Sequence, residues 1–231
     1  MKTGMIILAG GVGKRMGQPT PKQFIILAGK PIIVHVLEKV ELLTEVERVV
    51  ITCPPEHVGK TRTLLAHRNL SGRFFCIEGG ETRQESVYKG ILELVDCDSI
   101  IIHEAVRPFV TTEEFQALIS SEYDNIIYGA RIPFTVLAGH DWVEDTLERS
   151  SLVNVQLPQK FDAAALLRAH ELAREEGRDF TEDGRMVFHY KTGAVRILEG
   201  SEKNIKITEP TDLIIGEAIY SEYVLGRTQD S

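Results

Sequence analysis

The sequence predicts an α/β fold built on a largely parallel sheet. Short apolar runs of strand type alternate along the chain with segments whose apolar residues recur at helical spacing. Strands separated by helices are typical of parallel sheets with helices packed against them. In addition, glycine-rich or charged motifs follow three of the strand-like runs, at 10–17, 79–86 and 103–107. Because ligands of such sheets bind beyond the carboxyl ends of the strands, we expect these motifs to form one site.

The predicted elements alternate regularly through the first 133 residues. An apolar run at 5–9 predicts the first strand, and a helix is expected to begin near Pro31, with Ile33, Val36 and Val40 on its buried face. Pro54-Pro55 should end the second strand. The further strands are expected at 48–53, 74–77, 99–102 and 126–133, and the further helices at 57–68, 82–94 and 113–121, the last capped by Thr111 or Thr112.

The alternation breaks near residue 131. Residues 134–143 predict a hairpin-like excursion, because a polar turn with Gly139 separates two apolar runs. Beyond it we expect a helix at 162–176, a strand at 194–198 and a closing helix at 211–224. We predict a single domain over 1–231, with residues 131–157 forming a protruding β-arm within it.

The composition limits the class of protein. The 231 residues are 43% apolar, which is enough for one well-packed core. The net charge of −8 argues against a nucleic-acid partner, because phosphate-backbone binders are usually basic. No apolar run approaches the roughly 18 residues of a membrane span, the N-terminus lacks the layout of a signal peptide, and the three cysteines match no metal or disulfide spacing. We therefore expect a soluble, cytoplasmic protein that binds a small anion, with no nucleic acid and no membrane as partner.

The glycine-rich motif at 10–17 carries Lys14 and Arg15, and Lys22 stands shortly after it. A Walker P-loop does not fit, because Arg15 stands where that motif needs serine or threonine. A dinucleotide-binding fingerprint does not fit either, since its third glycine position is Met16. The nucleotidyltransferase pattern L-A-(A/G)-G-x-G-x-R-M followed by P-K fits at every position. The motif therefore predicts a triphosphate site, and the alternative is a strand–helix turn with solvated cations.

Four later motifs appear in order with this loop, and together they span nearly the whole chain. They are 79–87, 103–108, Pro158-Gln159 with Phe161, and 204–208. The set resembles the CTP-dependent sugar-alcohol-phosphate cytidylyltransferases, whose branches act on 2-C-methylerythritol 4-phosphate or on ribitol 5-phosphate. This resemblance implies a Rossmann-like nucleotidyltransferase sheet with helices on both faces. It also implies CTP and a sugar-alcohol phosphate as substrates, Mg²⁺ as cofactor, and a homodimer formed through the β-arm.

The resemblance also implies roles for individual residues. Arg15 and Lys22 would be catalytic, by stabilising the charge that develops on the α-phosphate. The nucleotide-binding residues would be Ala9, Gly10, Gly11, Gly13, Gly80, Arg83, Ser86 and Ala105. The substrate-binding residues would be Arg107, Thr135, Arg149, Thr181 and Lys206, with Thr135 and Arg149 reaching the partner subunit's site. Glu104, where the family usually has aspartate, would be the metal ligand.

Structural roles are the alternative for some of these residues. Ser86 could cap a helix, Glu104 could be a buried partner of Arg107, and Lys206 could be a cation at a sheet edge. His103 is expected to be a bonded strand-end histidine and not a catalyst, since a phosphate monoester is already an anionic nucleophile.

Departures from the family pattern bear on the choice of substrate. Phe134 stands where the family has aspartate, and Leu157 replaces the threonine of a Q-T-P-Q motif. The first loop and the run Ala-Val-Arg-Pro-Phe at 105–109 are closer to the ribitol branch. Together these cues favour ribitol 5-phosphate or a similar polyol phosphate over methylerythritol phosphate. A different nucleotide-sugar pyrophosphorylase and a non-catalytic nucleotide-binding relative are the alternative functions.

Overall fold

The structure is a computed structural model that describes residues 1–11, 20–70 and 72–222. Within these residues eleven strands are present: β1 (Thr3–Leu8), β2 (Ile26–Leu27), β3 (Lys30–Pro31), β4 (Val46–Cys53), β5 (Phe74–Glu78), β6 (Ser99–Glu104), β7 (Ile126–Arg131), β8 (Val136–Gly139), β9 (Val143–Leu147), β10 (Val153–Asp162) and β11 (Arg196–Glu199). The α-helices of the same residues are α1 (Ile32–Glu41), α2 (Pro55–His67), α3 (Arg83–Leu92), α4 (Thr112–Ser120), α5 (Ala163–Glu175), α6 (Asp183–His189) and α7 (Pro210–Tyr220).

The main sheet has seven strands among the described residues, in the order β11-β7-β10-β6-β1-β4-β5. β1 pairs in parallel with both β4 and β6, and its last residue, Leu8, lies opposite Thr52 and Glu104. β4 and β5 are parallel, as are β7 and β11. β10 is antiparallel to both of its neighbours. The predicted α/β class with a mostly parallel sheet is confirmed, and the carboxyl ends of β1, β4, β5 and β6 meet at one edge.

Both faces of the sheet are covered by helices. Along β1, Met5 and Ile7 pack against α1, α2 and α4, whereas Ile6 and Leu8 pack against α3, α5 and α6. All four side chains are buried. A fully buried aliphatic side chain stabilises a fold by about 1.5–3 kcal/mol, so both orientations along the strand must be apolar. This is why β1 appears in the sequence as a continuous apolar run.

The predicted helices begin close to their predicted positions, and side chains cap α3, α4 and α5. Pro54-Pro55 ends β4 and also starts α2, since Pro55 occupies its first turn. Thr111, one of two predicted caps, forms a capping box with Glu114 at the start of α4. α7 ends at Tyr220, and the last residues of the helix predicted to 224 lie outside the described residues. In the part of the chain that the structure describes, no helix is long and apolar enough to cross a membrane.

The sequence does not predict β10 or α6. β10 spans the region expected to end the arm, and it inserts between β6 and β7. Its residues include Pro158 and three buried polar side chains, Gln156, Gln159 and Lys160, which argue against an inner strand. Lys160 is accommodated because its Nζ donates to the carbonyl of Ser121 at 2.9 Å.

β8 and β9 form an antiparallel hairpin apart from the main sheet, which confirms the predicted excursion. The hairpin is largely exposed, and Trp142 near its tip is 84% exposed. Residues 153–157 already belong to β10, where Val153 lies opposite Arg131, so the hairpin is shorter than the predicted arm of 131–157. The single-domain organisation stays a prediction.

Candidate active site

A cavity of about 710 Å³ opens beyond the carboxyl ends of β1, β4 and β5. Its wall brings together segments that are far apart in the sequence, because the parallel strands all end at the same edge. Seven of the predicted site residues line it: Gly10, Gly11, Lys22, Gly80, Arg83, Ser86 and Lys206. Arg15 and Gly13, also predicted for this site, lie outside the described residues.

Lys22 is held in the cavity wall by a single turn of 3-10 helix that runs from Lys22 to Phe24. The lysine is 7% exposed, which is unusually buried for this residue type. Gly11 lies beside it: a Cβ added to Gly11 would come 3.7 Å from Cδ of Lys22. A cation in this position faces the cavity at the end of β1, where the glycine-rich motif begins.

Ser86 holds the glycine turn in place and does not cap a helix. Its Oγ accepts the backbone N–H of Gly80 at 3.0 Å and donates to the carbonyl of Thr82 at 2.9 Å. Thr82 is the residue that caps α3, by accepting the N–H of Glu85 at 3.1 Å. The N–H of Gly80 is therefore already bonded and is not left as a donor for a nucleotide.

Lys89 is a cavity residue that the sequence analysis missed. Its Nζ donates to the carbonyl of Gly79 at 2.8 Å, and the side chain lines the cavity. Lys89 follows Ser86 by three residues on α3, so both lie on one helix face. That spacing was available in the sequence and could have identified this lysine.

Arg83 enters the cavity wall from the first turn of α3. Its Nη2 lies 2.6 Å from Oδ2 of Asp183, the first residue of α6. α6 was not predicted, and Asp183 was not assigned to the site from the sequence. The contact links the glycine motif at 79–86 to a helix that begins a hundred residues later.

Glu104 lies between two cations at the end of β6. Its Oε1 lies 2.7 Å from Nζ of Lys206, and its Oε2 accepts Nε–H of Arg107 at 3.1 Å. Burial by itself would raise the pKa of Glu104, but the attraction of Lys206 and Arg107 outweighs it and lowers the pKa. The carboxylate is therefore ionised at neutral pH. Arg107 is fixed further by its Nη1, which donates to the carbonyl of Asn204 at 3.0 Å.

The residues near Glu104 allow a magnesium ion only together with bound phosphates. Among the described residues, no group of three or more histidine, cysteine, aspartate or glutamate side chains could hold a metal. Each oxygen of Glu104 keeps a lone pair besides its contact with a cation. Since Mg²⁺ commonly uses one or two carboxylates and several substrate oxygens, this single hard ligand fits such a site.

Ala9 and Ala105 are buried at the ends of their strands. The N–H of Ala9 donates to the carbonyl of Thr52 at 2.8 Å, and the N–H of Ala105 donates to the carbonyl of Leu8 at 2.9 Å. Both groups therefore extend the pairing between strands. Neither N–H is left for a nucleotide.

Four predicted substrate-binding residues, Arg107, Thr135, Arg149 and Thr181, are not part of the cavity wall, and neither is the predicted metal ligand Glu104. Thr135 and Arg149 are exposed on either side of the hairpin, and Thr181 is exposed before α6. Arg149 donates through Nη1 to the carbonyl of Pro133 at 2.9 Å, which joins the two ends of the hairpin. Phe134, the departure from the family's aspartate, is 75% exposed on the same hairpin.

Leu157 belongs to the core and does not line the cavity. It is 6% exposed and lies in the cluster of buried residues that contains Ile102 and Phe161. The sequence analysis connected its missing hydroxyl with a change of substrate. The structure corrects this interpretation, because the side chain serves packing.

Comparison with known proteins shows one family over nearly the whole chain. The family model described as 2-C-methyl-D-erythritol 4-phosphate cytidylyltransferase (IspD) matches residues 3–222. A relative of that name from Geobacillus kaustophilus is 36% identical over 217 residues, which cover 93% of this chain and 95% of the relative. Another of that name from Carboxydothermus hydrogenoformans is 37% identical over 227 residues, which cover 96% and 97%.

Solved structures share the fold. The crystal structure of 4-diphosphocytidyl-2C-methyl-D-erythritol synthase from Anaerococcus prevotii matches with a TM-score of 0.83 at 24% identity, covering 94% of this chain and 95% of that one. The Francisella tularensis 2-C-methyl-D-erythritol 4-phosphate cytidylyltransferase matches with a TM-score of 0.78 at 24% identity, covering 95% and 100%. At this identity the likeness concerns the fold.

Proposed function

Because the chain belongs to the 2-C-methyl-D-erythritol 4-phosphate cytidylyltransferase family, we propose that it joins the CMP part of CTP to 2-C-methyl-D-erythritol 4-phosphate. The observation that carries this proposal is the lining of the cavity at the strand ends. Lys22, Arg83 and Lys206, from three separate segments, face one space beside Gly10 and Gly11. Such a set of cations suits a triphosphate and a second phosphate together.

The reaction is an in-line displacement. An oxygen of the sugar-alcohol phosphate attacks the α-phosphorus of CTP and forms a new P–O bond. The bond from the α-phosphorus to the bridging oxygen breaks, and pyrophosphate leaves with that electron pair. The attacking phosphate is already anionic at neutral pH, so no general base is required. His103 is not placed to act as a general base, because it is fully buried and burial lowers its pKa to about 3.

In this proposal the cations stabilise charge that grows in the transition state. Lys22, with Arg15, would hold the triphosphate oxygens and offset the charge on the α-phosphate. Lys206 would hold the attacking phosphate, since one of its three N–H groups points to Glu104 and two remain. Arg107 does not line the cavity and donates to Glu104 and to the carbonyl of Asn204, so it would support Glu104 more than the substrate.

Magnesium would enter with the nucleotide. Glu104 would be its protein ligand, and the triphosphate would supply further oxygens. Bound in this way, the ion would neutralise phosphate charge. The ionised state of Glu104 and the spare lone pairs on its oxygens support this role.

A homodimer would complete the site. Thr135 and Arg149 are exposed on the hairpin and do not line the cavity of their own chain, so we propose that they serve the partner's cavity. Exposed apolar side chains on the hairpin, Trp142 and Val143 among them, support an interface there. A two-stranded hairpin is marginal alone, and contact with a second copy would stabilise it.

The second substrate is best supported as methylerythritol phosphate. The family model and both relatives carry that name, and the departure at Leu157 concerns packing. Ribitol 5-phosphate, favoured by small cues in the sequence, stays the second candidate because Phe134 lies on the hairpin assigned to substrate binding. We also propose a cytoplasmic location, which three buried cysteines without disulfide bonds support.

The test is pyrophosphate release by the purified chain with Mg²⁺. CTP, UTP and dTTP are each paired with methylerythritol phosphate and with ribitol 5-phosphate. Turnover that needs CTP and is fastest with methylerythritol phosphate supports the proposal. A preference for UTP or dTTP would identify another nucleotide-sugar pyrophosphorylase. CTP binding without pyrophosphate release in the presence of either alcohol phosphate would indicate a non-catalytic relative.

A further inference from the structure

We infer that Asp183 is a positioning residue that fixes the guanidinium of Arg83 for the nucleotide, and that His170 holds Asp183 in turn; the inference rests on the proposed function. Asp183 is fully buried at the start of α6. Its Oδ2 lies 2.6 Å from Nη2 of Arg83, and its Oδ1 lies 3.1 Å from Nε2 of His170. The three side chains come from α3, α5 and α6, so two polar contacts through Asp183 join three helices.

The charge state of Asp183 follows from its partners. Burial by itself would raise the pKa of Asp183, but the attraction of Arg83 and the contact with His170 outweigh burial and hold the pKa well below its usual range. An ionised carboxylate only accepts hydrogen bonds, so Nε2 of His170 is the donor. His170 is itself fully buried, and its ring stacks on Tyr88 of α3 at a centroid distance of 6.2 Å. The histidine therefore has little freedom to turn, and it orients Asp183.

Arg83 needs such a partner because of where it stands. It is the first residue of α3, and a cation at a helix N-terminus opposes the helix dipole. Asp183 offsets this cost and fixes one edge of the guanidinium. At the other edge, Nη1 is buried and has no partner among the described residues. The Arg83 side chain as a whole keeps 23% of its surface exposed and lines the cavity, so a nucleotide there can contact the guanidinium that Asp183 holds.

The alternative is that the ion pair only ties α6 to α3. In that case its loss would lower stability and leave CTP binding unchanged, once the protein is folded. A positioning role predicts instead that CTP affinity depends on Asp183 through Arg83. Replacing Asp183 and replacing Arg83 would then weaken CTP binding through the same contact, which a double-mutant cycle detects.

The experiment measures CTP affinity by calorimetry on the full chain, without the second substrate. The variants are Asp183→Asn, Arg83→Gln and the double variant, with Asp179→Asn as the matched control, since Asp179 is exposed four residues earlier. We expect Asp183→Asn to weaken CTP binding on the order of tenfold, and the double variant to be no weaker than Arg83→Gln. Unchanged affinity in Asp183→Asn, or losses that multiply in the double variant, would overturn the inference.

If Asp183→Asn does not fold, variants of His170 provide a second test of the inference. His170→Phe keeps a ring against Tyr88 but removes the donor, and should weaken CTP binding several-fold. His170→Gln restores an amide donor and should recover most of the affinity; equal losses in both would count against the inference. Affinity is measured without turnover, so a wild-type chain that binds CTP but releases no pyrophosphate refutes only the proposed function. A wild-type chain that does not bind CTP refutes both.

Discussion

Glu104 and Lys206 are 102 residues apart in the chain, and Oε1 of the glutamate lies 2.7 Å from Nζ of the lysine. The other oxygen of the same carboxylate accepts from Arg107. One buried anion thus holds two cations at the end of β6, and the group keeps a net positive charge. This balance suits a site that must attract phosphates while keeping its cations in fixed positions.

Glu104→Gln should therefore affect both stability and activity. The variant keeps the shape of the side chain but leaves Lys206 and Arg107 without a counter-charge. Breaking a fully buried pair costs about 3–5 kcal/mol, and we expect about 2 kcal/mol here, because the Lys206 side chain is 41% exposed. Thermal and urea unfolding measure this loss. The Mg²⁺ concentration for half-maximal pyrophosphate release should rise.

Glu199→Gln is the matched control for Glu104→Gln. Glu199 pairs with Arg131 at 3.4 Å, but both side chains are largely exposed, and such pairs contribute about 0–1 kcal/mol. Equal losses of stability in the two variants would show that the contacts of Glu104 contribute no more to stability than an exposed ion pair does. An unchanged Mg²⁺ requirement in Glu104→Gln would remove Glu104 as the proposed metal ligand.

Lys22→Ala should lower turnover about 100-fold or more, because it removes a fixed charge from the developing transition state. The fold should survive, since the lysine lines the cavity and lies outside the main sheet. Steady-state kinetics with CTP measures the loss, and circular dichroism checks the fold. Lys2→Ala, an exposed lysine just before β1, should behave as wild type. Near-normal turnover in Lys22→Ala would contradict its catalytic assignment.

The strand–helix alternation could be predicted because parallel strands covered on both faces must be apolar along their whole length. The convergence of the motifs on one edge follows from the same parallel arrangement, and the sequence alone was enough to group Gly10, Lys22 and Arg83, which line one cavity. Residues with a local sequence signal, such as the helix cap Thr111, could be predicted equally well. The cap has its cause within a few residues, and the alternation and the convergence follow from regular properties of a parallel sheet.

The features that escaped prediction depend on distant partners. β10 carries Pro158 and buried polar side chains, and distant residues bond two of these: Ser201 accepts from Gln156 at 2.8 Å, and Ser121 accepts from Lys160 at 2.9 Å. The Arg83–Asp183 contact joins two helices whose sequences give no sign of each other. A core position such as Leu157 cannot be told from a substrate contact until its neighbours are known.

His103 should make the protein sensitive to acid. Burial lowers its pKa to about 3 in the folded chain, against 6.5 without burial. Between these values the unfolded chain binds a proton that the folded chain does not, so stability is full above pH 6.5 and falls as the pH drops toward 3. Between roughly pH 6.5 and 4.5 the wild type should lose about 2 kcal/mol of unfolding free energy through His103. His103→Gln should not show this part of the loss.

The measurement for His103 is urea unfolding of wild type and variant at several pH values in that range. Groups common to both chains cancel in the difference, so a constant destabilisation by glutamine does not disturb the test. His140→Gln serves as control, because that histidine is 98% exposed on the hairpin. Parallel pH curves for wild type and His103→Gln would contradict the assigned cause.

Mixed subunits would test whether the hairpin serves the partner's site. Lys22→Ala and Arg149→Ala should each be nearly inactive as homodimers. In a mixed dimer, the cavity with an intact Lys22 receives the hairpin with an intact Arg149, so one of its two sites is complete. With random pairing, refolding the two variants together should restore about a quarter of wild-type activity. Mixing Lys22→Ala with Lys22→Ala,Arg149→Ala should restore none. Activity that stays at the level of the separate variants would place Arg149 in its own subunit's site or outside any site.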